Sequence, residues 1–231
     1  MFRRIKADSL RKMSVVYKVN LLSFIVLLLI SIGCNKSIRN ESDYLKWLDN
    51  PSNGLVRTKH VSGFDIKVKF MPPSYLFCHD MSANDLSISQ KQKDSLYQIY
   101  KHSLTFMMTL GPDKGDSNKM SVMYYGVKAY TDYVKRDLIM NFDFKKYAHI
   151  EVAGKEYDPV LSTMENSYEL GLSRNVFFVF VPKDTADRTL FISPTIDFTY
   201  DDDLFQLGLN HFVFKQEDIQ GSPLYPGITM N

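Results

Sequence analysis

Apolar residues along the chain recur at two spacings, one helical and one extended. Tyr44, Trp47 and Leu48 stand at i, i+3 and i+4, which predicts a short amphipathic helix with Ser42 or Asp43 as its N-cap. Asn50-Pro51 ends it, because a residue before proline disfavours the helical region, and Ser52-Asn53-Gly54 is turn chemistry. Two strand-like runs follow, Leu55 to Val61 and Phe64 to Met71, with Ser62-Gly63 between them as a two-residue hairpin loop. In the second run Phe64, Ile66, Val68 and Phe70 alternate with Asp65, Lys67 and Lys69, so one face is buried and the other wet. Pro72-Pro73 stops that strand. Residues Gln90 to Leu110 then read as the longest helix. Ser89 with Gln92 forms a capping box, Leu96, Ile99, Tyr100, Leu104, Met107 and Leu110 form a stripe, and Gly111-Pro112 closes it. Such a helix spans roughly 31 Å.

After a polar loop from Pro112 to Lys119, Met120 to Tyr125 reads as a strand, and Val127, Tyr130, Val134 and Leu138 as a short helix. From about Lys146 the texture changes. Short apolar runs recur between turns: Tyr147 to Val152, Glu156 to Leu161, Val176 to Val181, Thr189 to Ile192, Thr195 to Tyr200 and Leu209 to Phe214. Strands at this spacing predict a mostly antiparallel, sandwich-like or barrel-like sheet. The run Val176 to Val181 is apolar on both faces, which predicts a central strand.

The N-terminal segment differs from all of this. Residues Met1 to Gly33 hold Arg3, Arg4, Lys6, Arg11, Lys12 and Lys18 against a single acid, Asp8. An apolar run from Leu21 to Ile32 follows, broken by Ser23 and Ser31. It is shorter than the roughly 20 residues that cross a bilayer, and the order of basic, apolar and small residues is that of a secretory signal. A start at Met13 would make the basic region a more usual length. An uncleaved signal anchor, or cleavage elsewhere, is the alternative.

The run ends Ser31-Ile32-Gly33-Cys34, which resembles the lipobox of bacterial lipoproteins. Ser31 departs from the commonest residue at its position. The resemblance implies cleavage after Gly33 and lipidation of Cys34, whose thiol accepts the acyl group. Each buried CH₂ of such a lipid contributes about 0.8 kcal/mol, so several chains anchor stably. No cofactor is implied beyond this covalent lipid. Asn35 follows, where aspartate would imply inner-membrane retention, so the resemblance implies an outer-membrane address. Residues 34–42 would then be the lipidated cysteine and a polar tether.

This segment also changes the meaning of the charge. The 231-residue chain has 28 Lys+Arg and 26 Asp+Glu, a formal net charge of +2. Losing six basic and one acidic residue leaves 22 against 25 in residues 34–231, a net charge of −3. The basic footprint expected of a nucleic-acid partner disappears. Hydrophobic residues at 45% and charged residues at 23% exclude disorder, and 2 Cys exclude a disulfide scaffold or a Cys-rich zinc module.

Residues Tyr44 to Val56, the hairpin with Pro72-Pro73-Ser74-Tyr75-Leu76 after it, and the Cys34-Asn35-Lys36 start resemble uncharacterised lipoproteins of Bacteroidota-type bacteria. The likeness extends through Tyr157-Asp158-Pro159-Val160 and the Phe177 strand. Its motifs are a helix stop, a turn and strand ends, so it implies an address and no activity.

Candidate chemistry is sparse. Cys78-His79-Asp80 has the residue types of a thiol protease, but neighbours in sequence point apart, and triads assemble from separated positions. Cys78 is expected to be buried as a small hydrophobe. Asp197, Asp201, Asp202 and Asp203 form an acidic cluster that could attract Ca²⁺, yet it matches no EF-hand spacing and reads as a solvated turn. His60, His79, His102, His149 and His211 form no i, i+4 pair and no H-E-x-x-H. No Walker loop, G-x-S-x-G elbow or G-x-G-x-x-G occurs. Glu151, Glu156, Glu165 and Glu169 could supply a hydrolase carboxylate pair only if the fold assembled one. Tyr124-Tyr125, Tyr130 and Tyr133 could line a groove, whereas Trp47 is expected to pack.

The chain therefore reads as a signal peptide over 1–33 and one α+β unit over 43–231, with an α/β part (43–143) and a β-rich part (144–231). The expected function is that of a membrane-anchored, non-enzymatic interaction lipoprotein. Its partners are the bilayer, through the Cys34 anchor, and an envelope protein or glycan. A glycan- or small-ligand-binding lipoprotein is the alternative, and a hydrolase with spatially assembled carboxylates comes after that.

Overall fold

A computed structural model describes residues 38–83, 88–113, 115, 120–165, 171–184 and 186–226. The described residues all belong to one unit, Ile38–Asn231. The signal segment, Gly33, Cys34 and Asn35 lie outside the described residues.

The fold is α+β. Helix α1 (Glu41–Leu48) buries Tyr44 and Leu48 as its spacing predicts, while its N-cap is Asn40, whose side chain accepts from the Asp43 N–H at 2.9 Å. Strands β1 (Val56–Val61) and β2 (Phe64–Met71) form the expected hairpin. Ser62 at φ 49° and Gly63 at φ 81° are both left-handed, the geometry that follows the natural twist of two strands. Phe64, Ile66, Val68 and Phe70 are buried in alternation. Lys69 is buried as well, against the expectation of a wet position, because its Nζ reaches Asp49 Oδ1 at 2.7 Å below α1.

The predicted long helix is two elements. After α2 (Pro73–Ala83), helix α3 begins at Gln90 behind the Ser89–Gln92 capping box but stops at Lys101, and Leu104–Pro112 is strand β3. The same residues satisfy both periods. Leu104, Met107 and Leu110 suit a helix, but Leu104, Phe106, Met108 and Leu110 suit a strand, and pairing with neighbours on both sides decides.

Helix α4 (Tyr130–Leu138) passes into a π-turn (Ile139–Asp143) and a 3₁₀ turn (Phe144–Tyr147). Met120 to Tyr125, expected as a strand, is not one: residues 122–126 are turns. Then come β4 (Ala148–Val152), β5 (Lys155–Tyr157), β6 (Leu161–Met164), β7 (Arg174–Phe180), α5 (Thr189–Ile192), β8 (Thr195–Asp202), β9 (Gly208–Lys215) and α6 (Gln216–Gln220). The run Glu156 to Leu161 is broken at Pro159, which has no N–H for a ladder, and its halves enter different sheets. Thr189–Ile192, expected as a strand, is a helical turn whose first N–H donates to Asp187 Oδ1 at 2.9 Å.

A five-stranded sheet has the order β1-β2-β3-β7-β6 and a four-stranded sheet the order β5-β4-β8-β9. All neighbours are antiparallel. The inner faces meet in a phenylalanine core. Phe106 of β3 lies 5.4 Å from Phe198 of β8 and 5.1 Å from Phe214 of β9, and Phe178 lies 5.6 Å from Phe198. Phe106 is fully buried, so truncating it to Ala would cost about 3–5 kcal/mol. β7 is an interior strand, with Val176, Phe178 and Phe180 buried and Phe177 and Val179 half-buried. At one side Arg57 of β1 donates to the Val213 carbonyl at 2.8 Å and its guanidinium lies over the Phe214 ring, joining the edges of the two sheets.

Candidate functional site

The tyrosines singled out in the sequence meet in the segment 122–142. Asp132 starts α4 by accepting from the N–H groups of Lys128 and Ala129, both at 3.0 Å. These bonds hold its carboxyl below the ordinary range. Arg136, one turn later, points inward and is buried. Its Nη1 lies 3.0, 3.1 and 2.6 Å from the carbonyls of Val122, Met123 and Tyr125. Burial lowers the guanidinium's pKa, and Asp132 and Asp202 oppose that shift. The flat face of Arg136 lies 4.9 Å from the Phe205 ring, which packs on Phe64, which in turn meets Tyr125 edge-on at 4.6 Å. One buried cation therefore pins the turn to the helix.

The pinned turn presents aromatic surface. Tyr124 stacks on Tyr133 at 5.2 Å with planes 16° apart, and Tyr133 on Tyr130 at 6.2 Å and 19°. Tyr130 is 79% exposed and Phe142, in the π-turn, 72%. Tyr125 and Leu138 are exposed beside them in sequence. π-turns recur at functional sites because the extra residue re-aims side chains. The tyrosines were legible as a groove candidate. Leu138, one of the apolar positions that predicted the helix, is exposed, and neither Phe142 nor Arg136 carried a signal.

The other candidates are placed as follows. Cys78-His79-Asp80 lies on α2. Cys78 is half-buried rather than fully buried, and burial raises its thiol pKa, which disfavours the thiolate. Asp80 accepts from the Tyr100 hydroxyl, and His79 Nδ1 lies 3.7 Å from Asp80 Oδ1, with both side chains exposed. The acidic cluster does not converge. Asp202 is buried, accepting from Tyr200 Oη and from the N–H groups of Leu204, Phe205 and Leu207. Asp197 faces the opposite side of β8 and meets His211 Nδ1 at 2.9 Å, while Asp201 and Asp203 are exposed. Glu151 and Glu156 face each other across β4 and β5, both exposed, Glu165 is exposed beyond β6, and Glu169 lies outside the described residues. Trp47 packs against the core. No helix among the described residues is long and apolar enough to cross a membrane.

No family model and no curated protein matches the chain. Two solved structures overlap it. A protein of unknown function from Burkholderia pseudomallei has 9% identity and a TM-score of 0.37, covering 78% of this chain and 86% of that one. A DUF4426 family protein from Pseudomonas aeruginosa has 12% identity and a TM-score of 0.29, covering 69% and 91%. Similarity at this level assigns no activity.

Proposed function

We propose that this protein is a cell-envelope lipoprotein, anchored through acylated Cys34 to the outer membrane, that acts as a non-enzymatic interaction protein with an envelope protein as its partner. The observation that carries the binding role is the concentration of exposed apolar surface in one segment: Tyr124, Tyr125, Tyr130, Leu138 and Phe142. Large exposed apolar groups held on a rigid support are the usual mark of an interaction face. The support here is Arg136, which holds the turn through three carbonyls. The anchor and address rest on the resemblance of Ser31-Ile32-Gly33-Cys34-Asn35 to a lipobox.

The stacked Tyr124, Tyr133 and Tyr130 favour a second reading, a glycan whose CH faces lie on the rings. A photo-crosslinking residue at position 130 or 142 in living cells tests both. The protein-partner reading expects one discrete crosslinked protein from either position and none from exposed Lys91 on α3. The glycan reading expects no such protein, and retention on purified envelope polysaccharide that Tyr130→Ala abolishes. Failure of both refutes the binding role of this face.

A further inference from the structure

Three potential metal ligands lie together at the far end of the β1–β2 hairpin, away from the segment just described in sequence and in chemistry. His60 is the next-to-last residue of β1, and Asp65 is its direct cross-strand partner in β2. Cross-strand partners share a face, so the ladder itself sets these two side chains beside each other. Asp113 follows β3, and its backbone N–H donates to the Gly63 carbonyl at 2.8 Å, which ties it to the hairpin turn. The three backbones are therefore fixed relative to one another before any ligand arrives. His60 Nδ1 lies 3.0 Å from Asp65 Oδ1, and His60 Nε2 lies 3.3 Å from Asp113 Oδ2. One nitrogen and one oxygen from each carboxylate all lie within 4.8 Å of one another.

A second feature concerns orientation. Asp113 Oδ1 accepts from the Gly115 N–H at 3.0 Å, which leaves Oδ2 turned toward the imidazole. Carboxylate ligands of metals are commonly held in this way by a partner on their other oxygen.

We propose that His60, Asp65 and Asp113 bind one divalent transition-metal ion of the zinc class. The chemistry selects the class. Imidazole nitrogen with two carboxylate oxygens suits zinc-like ions, whereas calcium takes six to eight oxygens and no nitrogen. Two carboxylates and a neutral imidazole also balance the +2 charge. Zinc bonds of about 2.0–2.2 Å put tetrahedral ligand atoms about 3.3–3.6 Å apart. The imidazole gives one nitrogen to the ion, so it exchanges one of its two carboxylate contacts for the metal bond. The second carboxylate then swings to close the wider gap. Such a swing is cheap, because the side chains are 54%, 32% and 34% exposed in the order His60, Asp65, Asp113. Solvent reaches the ion and completes its coordination. The role that fits is a clip holding the hairpin tip to the end of β3.

Calorimetry with ZnCl₂ on the full-length protein in detergent, after chelator treatment, tests this. One equivalent should bind to the wild type, and CaCl₂ should give no heat. His60→Ala should weaken zinc binding by more than about tenfold, and Asp113→Asn by about tenfold or more. His211→Ala removes a different surface His–Asp pair, that with Asp197, and should change nothing. Thermal melting in chelator controls for folding, and His60→Ala should match the wild type there because the ring is exposed. Cobalt(II) should give the visible absorption of a four-coordinate site in the wild type and lose it in His60→Ala. Absence of zinc binding at millimolar metal, or binding and cobalt spectra that survive His60→Ala, would overturn the proposal.

Discussion

Asp202→Asn should be one of the most damaging conservative substitutions in the molecule. Asp202 is 1% exposed. Its Oδ1 accepts from Tyr200 Oη at 2.9 Å and Leu204 N at 3.0 Å, and its Oδ2 from Phe205 N at 2.9 Å and Leu207 N at 3.1 Å. Four donors converge on two oxygens, so the ionised carboxylate is matched and no acceptor is spare. Asparagine keeps one oxygen and puts an NH₂ where the other stood. On the Oδ1 side the NH₂ opposes the Leu204 N–H and forces the Tyr200 hydroxyl to accept instead of donate, and on the Oδ2 side it opposes the N–H groups of Phe205 and Leu207, so either orientation removes two bonds to a charged acceptor from a buried site. Hydrogen bonds to a charged group contribute about 1.5–3 kcal/mol each, so losing two costs about 3 kcal/mol at the low end. For a chain of this size that lowers Tm by about 6–12 °C. Exposed Asp201→Asn, one residue away, should stay within about 0.5 kcal/mol. The damage should also travel, because Phe205 of this loop lies under the Arg136 guanidinium that pins the tyrosine turn. Calorimetric or fluorescence melting measures the first effect, and amide hydrogen exchange at Phe205, Leu207 and 122–125 measures the second. If Asp202→Asn melts within about 2 °C of the wild type with those amides still protected, the hydrogen-bond accounting is wrong.

Three further outcomes are expected. Cys34→Ala should abolish palmitate incorporation and membrane fractionation, and a variant that still sediments with membranes after a carbonate wash would refute the lipobox reading. Asp187 is held down to about 2 by hydrogen bonds from Thr189, hydroxyl and then N–H, and from Tyr157, with Lys155 adding to them. Its folded pKa is below the unfolded value near 4, so its contribution is present above the unfolded pKa and lost as pH falls through about 2. The stability gap between wild type and Asp187→Asn should be constant above pH about 5 and narrow below it, read by urea titration at each pH. Burial pushes Tyr200 well above 10, and Tyr44 up to about 12. The folded state holds both phenols neutral, so their contribution is present below the unfolded pKa near 10 and is lost as pH rises toward the folded values. Phenolate absorbance should show a late fraction appearing with unfolding, and the gap between wild type and Tyr200→Phe should narrow above pH about 10.

Local chemistry determined much of this molecule. Ser62-Gly63 specified a tight hairpin because glycine tolerates positive φ and a short polar neighbour can follow it. Alternation from Phe64 to Phe70 specified which face of β2 is inside. Ser89 and Gln92 fixed where α3 begins, and the spacing of basic, apolar and small residues before Cys34 implied an address. These signals lie within a few residues of the structure they direct, so a single sequence shows them.

Where α3 ends was not local. Leu104 to Leu110 fits both periods, and only the hydrogen bonds offered by β2 and β7 make it a strand. The acidic run shows the same limit: alternation along β8 buries Asp202 and turns Asp197 outward, and only the folded β8–β9 loop supplies the donors that make a buried carboxylate tolerable. The two candidate sites are longer-range still. Arg136 gathers carbonyls from the preceding turn, and Asp113 reaches His60 and Asp65 only because β3 runs beside β2 and returns the chain to the hairpin. Burial, strand register and hydrogen-bond satisfaction belong to the whole packed chain, so the tertiary structure alone decided which of the residues named in the sequence stand together.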